Sequence, residues 1–169
     1  GIISNGAKQS IYNALGSLIE EGDEVLLIAP YWVSFSEMIK FWQGIPKIIH
    51  SHIYDNYEPD LEKLEESISA KTKVLILNSP NNPTGVSYSS EWMKALAKVL
   101  KKFPDLVIIS DEIYSKLSYF DPKPTYFYQY DQSLLNRTII INGISKSFAA
   151  TGLRIGFTLG PSEIINGMK

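Results

Sequence analysis

Four short runs in this chain are apolar almost without a break: EVLLIA at residues 24–29, KVLIL at 73–77, LVII at 106–109 and TIII at 138–141. A strand with one face in water alternates polar and apolar residues. An unbroken run belongs to a strand covered on both faces, as in parallel sheets. The segments between the runs carry a helical period instead, and right-handed crossovers would lay those helices on both sides of the sheet. The expected fold is therefore α/β, a three-layer α/β/α arrangement around a mainly parallel sheet.

The helical segments can be bounded. Residues 8–20 place Ile11, Leu15, Leu18 and Ile19 on one face, and Gly22-Asp23 ends the pattern. Residues 35–42 read as a second helix, closed by Gly44-Ile45-Pro46, and residues 47–52 as a short strand. Asp60 has the chemistry of an N-cap before Leu61, Leu64 and Ile68. Ser89 or Ser90 caps a helix running to Lys102, with Trp92, Leu96, Val99, Leu100 and Phe103 on one face. Residues 121–133 follow no period and form a Pro- and Tyr-rich excursion. Residues 153–159 read as a further strand, and Pro161 opens a last helix.

Composition narrows the function. The chain has 169 residues, 44% hydrophobic and 20% charged, which suffices for one domain with a full core. A net charge of −2 offers no basic footprint for nucleic acid. No apolar run approaches the roughly 18 residues of a membrane span, and no secretory signal pattern opens the chain. Cysteine is absent, which excludes disulfides and thiolate chemistry and fits a cytoplasmic setting. Without a secretory signal the triplet Asn136-Arg137-Thr138 carries no weight as a glycosylation site. His50 and His52 are spaced to share a strand face. With no cysteine or carboxylate nearby they read as solvent-exposed, not as metal ligands. Gly1-Ile2-Ile3-Ser4 reads as the tail of a strand and Lys169 falls inside a helix, so a piece of a longer chain is expected.

In sheets of this kind ligands sit outside the carboxyl ends of the strands. After Ile3 comes Ser4-Asn5-Gly6-Ala7-Lys8, either a plain helix start or an anion site made by helix N–H groups. After Ala29 come Pro30, Tyr31 and Trp32, aromatics that either pack or stack on a flat ligand. After Leu77 comes NSPNNPTG, a rigid turn whose asparagines present amides to a ligand oxygen. After Ile109 come Ser110, Asp111, Glu112 and Tyr114, where a carboxylate is costly unless paired. After Ile141 comes Asn142-Gly143-Ile144-Ser145-Lys146, with Arg154 eight residues beyond the lysine. A lysine at a buried strand's end is expected to be partly desolvated, which favours the neutral, nucleophilic amine. Each loop has a bland alternative, but every strand end carries a group suited to one ligand. An amine, a carboxylate, a phenol, an amide, an aromatic plate and an anion nest together fit pyridoxal 5′-phosphate.

The motifs SNGAKQ, PYWVSF, NSPNNPTG, SDEIY and SKSFAATGLRIG, in this order, resemble the large domain of the fold-type I aminotransferases, the aspartate aminotransferase family. The resemblance covers nearly the whole chain. It implies that residues 1–169 are a cofactor-binding large domain with one antiparallel strand near its C-terminus, lacking the N-terminal segment and the C-terminal small domain. It further implies that Lys146 forms the Schiff base and shuttles the substrate proton. Asp111 would face the pyridinium nitrogen, and Tyr114 and Asn82 the ring oxygen. Trp32 would stack on the ring, with Trp32 and Asn82 also near substrate. Gly6, Ala7, Arg154, Lys8 and Ser145 would hold the phosphate, unless Lys8 reaches towards substrate or a second subunit. Gly143 departs from the serine or threonine that many members carry three residues before the lysine.

The activity so implied is ping-pong transamination in a homodimeric parent, with aspartate and 2-oxoglutarate as the first substrate pair. Aromatic or prephenate transamination is the nearest alternative. A C–S lyase or an aminocyclopropane-carboxylate synthase would keep the same cofactor residues. The 169-residue chain alone is expected to be inactive, because the arginine that binds the substrate carboxylate lies in the small domain.

Overall fold

The computed structural model describes residues 1–119 and 125–169. Seven strands form one sheet: β1 (Ile2–Ser4), β2 (Glu24–Ala29), β3 (Ile45–His50), β4 (Thr72–Asn78), β5 (Val107–Asp111), β6 (Thr138–Gly143) and β7 (Gly156–Leu159). Their order is β1-β7-β6-β5-β4-β2-β3. Only β7 runs against its neighbours, pairing antiparallel with both β1 and β6. The fold is thus α/β with a mainly parallel sheet and one antiparallel strand near the C-terminus, as expected.

The helices are α1 (Ala7–Leu18), α2 (Ser34–Phe41), α3 (Leu61–Ser67), α4 (Ser90–Leu100), α5 (Ile144–Ser147) and α6 (Ser162–Gly167). Alternate residues of each strand enter different cores. Val25, Leu27, Val74, Ile76 and Ile109 pack with Ile11 and Leu15 of α1, Phe35 and Ile39 of α2 and Ile165 of α6. Leu26, Ile28, Leu75, Leu77 and Ile108 pack with Leu64 of α3 and with Trp92, Leu96 and Leu100 of α4. Burying a side chain such as Phe35 or Leu96 stabilises the fold by about 1.5–3 kcal/mol each. This two-sided burial is why the central strands are apolar throughout.

Local chemistry sets the boundaries. The Asp60 carboxylate accepts from the Glu62 N–H at 2.9 Å, and the Ser89 hydroxyl accepts from the Trp92 N–H at 3.2 Å, capping α3 and α4. Helix α1 stops at Leu18, short of Glu20, because the Asp23 carboxylate accepts from the Glu20 N–H at 2.9 Å and draws the chain into a turn. Strand β3 starts at Ile45 and runs through Pro46, which is tolerated because β3 is an edge strand. It ends at His50, so His50 and His52 do not share a strand face: His52 caps a 3₁₀ turn and stacks on Tyr54, and both histidines are exposed. The expected strand at 153–159 is also shorter. Thr151–Leu153 is a 3₁₀ turn and Arg154 is left-handed at φ 52°, so β7 begins only at Gly156. Of the aperiodic excursion, residues 121–124 lie outside the described residues, and the rest winds through the turns Phe127–Gln129 and Gln132–Arg137.

Candidate active site

The carboxyl ends of the parallel strands surround a cleft of ≈ 300 Å³. Because β7 is antiparallel, its beginning rather than its end lies at this edge, which brings Arg154 to the same place. Ala7, Lys8, Trp32, Asn82, Asp111, Tyr114, Ser145, Lys146 and Arg154 all line the cleft. Gly6 is buried directly behind the Arg154 guanidinium. Residues separated by up to 148 positions, Gly6 to Arg154, are therefore brought to one face. Asn78, the first asparagine of the NSPNNPTG loop, also lines it, as do Ile11, expected only on the apolar face of a helix, and Ile113 and Thr151, which were given no role in the site.

Asp111 is the most constrained of these groups. It is 4% exposed, and burial pushes its carboxyl up to about 7, offset in part by the Ile113 N–H. That N–H donates to it at 3.2 Å. Among the described residues no cation pairs with Asp111. Tyr114 is half-buried; burial first, then the Asp111 charge, raises its phenol, and a hydrogen bond with the Asn82 side chain opposes the shift.

Lys146 corrects one expectation. It is exposed, not desolvated, because β6 gives way to the four-residue helix α5 and carries the lysine past the sheet edge onto the cleft rim. Its ammonium lies 5.9 Å from the centre of the Tyr114 ring. Also lining the cleft, the Lys8 ammonium sits 4.8 Å from the centre of the Trp32 ring, a cation–π distance. Trp32 itself is fixed edge-on against Phe35 at 5.4 Å.

The third part of the site favours an anion. Helix α1 starts after Gly6, at φ 85°, with no side-chain cap and no acidic residue in its first turn. Its first N–H groups and positive dipole end are left for a ligand. Among the described residues Arg154 is held beside them by carbonyls, its guanidinium donating to Thr151 O at 3.2 Å and Asn5 O at 3.4 Å. Glycines make this packing possible. A Cβ on Gly6 would strike the Arg154 guanidinium, and one on Gly156 would lie 2.5 Å from the Ala7 nitrogen. The departure at Gly143 has the same origin: a Cβ there would lie 2.7 Å from the Ile155 carbonyl oxygen. Among the described residues no group of three His, Cys, Asp or Glu is placed to hold a metal, and no helix is long and apolar enough to cross a membrane.

Residues 2–169 match the family model "Aminotransferase class I and II". The chain is 41% identical over 167 residues to a probable aspartate/prephenate aminotransferase of Rickettsia felis, covering 99% of this chain and 41% of the relative. It is also 41% identical to an aspartate aminotransferase of Geobacillus stearothermophilus, of which it covers 42%. Among solved structures, the aspartate aminotransferase from Rhizobium meliloti superposes with a TM-score of 0.95 at 36% identity, covering 98% of this chain and 42% of that one. The Thermus thermophilus aspartate aminotransferase with maleate gives 0.90 at 37% identity, covering 99% and 42%. The chain thus spans well under half the length of the relatives it matches, yet the match runs through every strand end of the cleft: it belongs to the class I and II aminotransferase family.

Proposed function

We propose that residues 1–169 form the cofactor-binding large domain of a pyridoxal 5′-phosphate-dependent aminotransferase that moves an amino group from an amino acid to a 2-oxo acid in a ping-pong cycle. The observation that carries this reading is the buried Asp111 carboxyl, without a cation partner among the described residues, facing a cleft with a lysine on one rim and a carbonyl-held arginine on another. A ring N–H⁺ would supply the missing charge at Asp111, and a phosphate would neutralise Arg154. The donor set therefore fits this cofactor.

Bound through Lys146, pyridoxal phosphate supplies an electron sink for the pair left when the substrate Cα loses its proton. Lys146 would contribute the amine that holds the cofactor and would carry the proton away from the substrate Cα. Its exposed position on α5 leaves it free to swing between these tasks. Asp111 would keep the ring nitrogen protonated. Tyr114 and Asn82 would bind the ring oxygen, and Trp32 would stack on the ring. Arg154, the N–H groups following Gly6, and Ser145 would hold the phosphate. Lys8, poised over Trp32, either joins them or meets the substrate.

Aspartate with 2-oxoglutarate is the first substrate pair. Prephenate is the second reading, favoured by the name of the Rickettsia felis relative. The full-length protein is read as a cytoplasmic homodimer. The 169-residue chain alone should have no useful turnover. Adding aspartate to the reconstituted full-length enzyme should abolish the cofactor's visible absorption band, and 2-oxoglutarate should restore it. A band that no amino acid donor alters would reject transamination.

A further inference from the structure

Asn78 closes β4 beside Asp111, which closes β5, and the two are register partners in the sheet. Its side chain is 5% exposed and borders the cleft. The amide nitrogen donates to the Asp111 carbonyl oxygen at 3.0 Å, and the amide oxygen accepts from the Asn82 N–H at 2.9 Å. Both ends of one planar amide are therefore engaged by the main chain of two other residues of the site. The rest of the Asn82 loop is braced internally: Asn81 N–H donates to Val86 O at 2.8 Å, and the Asn81 side chain accepts from the Thr84 hydroxyl at 2.9 Å. Asn78 joins that braced loop to the sheet. Because Asn82 in turn bonds the Tyr114 hydroxyl, the connection reaches the phenol as well.

We propose that Asn78 is a positioning residue for the cofactor site: its amide fixes the main chain of Asp111 relative to that of Asn82, and so sets the span between the Asp111 carboxylate and the Asn82 amide at the cleft. The role rests on the proposed function for its cofactor, but the tether itself does not. No other small residue supplies it. Alanine or serine leaves a buried carbonyl or N–H without this partner. Aspartate keeps the acceptor, loses the donor, and puts a second carboxylate beside Asp111.

The test compares wild type, Asn78→Ala and Asn78→Asp in the full-length protein, with Asn78→Ser carrying the same readouts should the alanine variant not fold. In cofactor-free protein, the Asp111 carboxyl is titrated by carbon-13 NMR. Loosening its main chain admits water, so Asn78→Ala should lower the midpoint. In protein reconstituted with pyridoxal phosphate, Asn78→Ala should lower kcat by about tenfold with a smaller change in KM. Asn78→Asp should raise the pH midpoint of the cofactor's visible band by about one unit, since a nearby carboxylate favours the protonated form. A wild-type Asp111 midpoint in the alanine or serine variant, together with kcat within twofold and an unmoved band, would overturn the proposal. If borohydride fails to trap cofactor on Lys146 in the wild type, the functional reading fails instead, and the Asp111 titration still decides the role of Asn78.

Discussion

Asp111 and Glu112 are consecutive carboxyl residues, both 4% exposed, and they serve opposite faces of the sheet. Asp111 borders the cleft. Glu112 turns to the other layer, where the Ser110 hydroxyl donates to it at 2.6 Å and the Phe127 N–H supplies a second bond. Burial is the main cause that pushes each carboxyl up to about 7. For Glu112 the neighbouring Asp111 charge adds to it, against the two donated hydrogen bonds.

These shifts have a sign that stability measurements can read. In the unfolded chain both groups lose their protons near pH 4, at about 3.9 for Asp and 4.3 for Glu. In the folded, cofactor-free protein they keep them until about pH 7. The native state therefore binds more protons across this window, and the stability is fully present below pH 4 and lost as pH rises through about 7. Asp111→Asn should remove one share of that loss. Cofactor-free Asp111→Asn should be more stable than wild type at pH 8, by at least about 1 kcal/mol, and closer to it at pH 4. Denaturant titrations at the two pH values check this. A pH dependence identical to wild type would count against the buried, cation-free state of Asp111.

Lys146 predicts a sharper separation. Its side chain is exposed, so Lys146→Ala should leave stability within about 0.5 kcal/mol of wild type. The same change should abolish borohydride-stable attachment of pyridoxal phosphate, read as intact-protein mass. A trapped adduct in Lys146→Ala would move the covalent role to another lysine.

What could be read ahead of the structure follows from how local each signal is. The runs at β2, β4, β5 and β6 announce burial on two faces by composition alone, and Asp60 and Ser89 cap helices with their own side chains. The loop motifs were legible because most cleft residues close or follow a parallel strand. Helix α5 was not, since four residues are too few to carry a helical period. Nor was the left-handed Arg154, whose guanidinium reaches Asn5, 149 positions away. The tether made by Asn78 was hidden for the same reason. Its bond to Asp111 depends on β4 and β5 being neighbours, which no local pattern encodes.

Arg137 gives a stability prediction away from the cleft. Its guanidinium donates to Leu100 O at 2.8 Å, Phe103 O at 2.7 Å and Leu106 O at 2.6 Å, tying the carboxyl end of α4 to the turns that lead into β5. The positive charge also lies at the negative end of the helix dipole. Arg137→Ala should cost about 2 kcal/mol, a value reduced for the partial exposure of the group. Arg137→Lys should recover only part, because an ammonium cannot span three carbonyls as a planar fork does. Equilibrium unfolding of the two variants checks both magnitudes, and an alanine variant as stable as wild type would show the cap to be dispensable.

Thr158 makes the opposite prediction. It sits in β7 between Ile2 of β1 and Ile141 of β6, is 0% exposed, and its hydroxyl has no hydrogen-bond partner among the described residues. A buried hydroxyl without a partner costs about 1–3 kcal/mol in mutational data, since it has given up water for nothing. Valine has nearly the same shape and the same preference for strands, with a methyl in place of the hydroxyl. Thr158→Val should therefore raise stability by about 1 kcal/mol, with cofactor binding unchanged, because the side chain does not border the cleft. Thermal and denaturant unfolding of the cofactor-free protein measure the gain. A loss of stability on substitution would mean that the hydroxyl has a partner in solution, and a buried water would then be sought beside it in a crystal structure of the wild type.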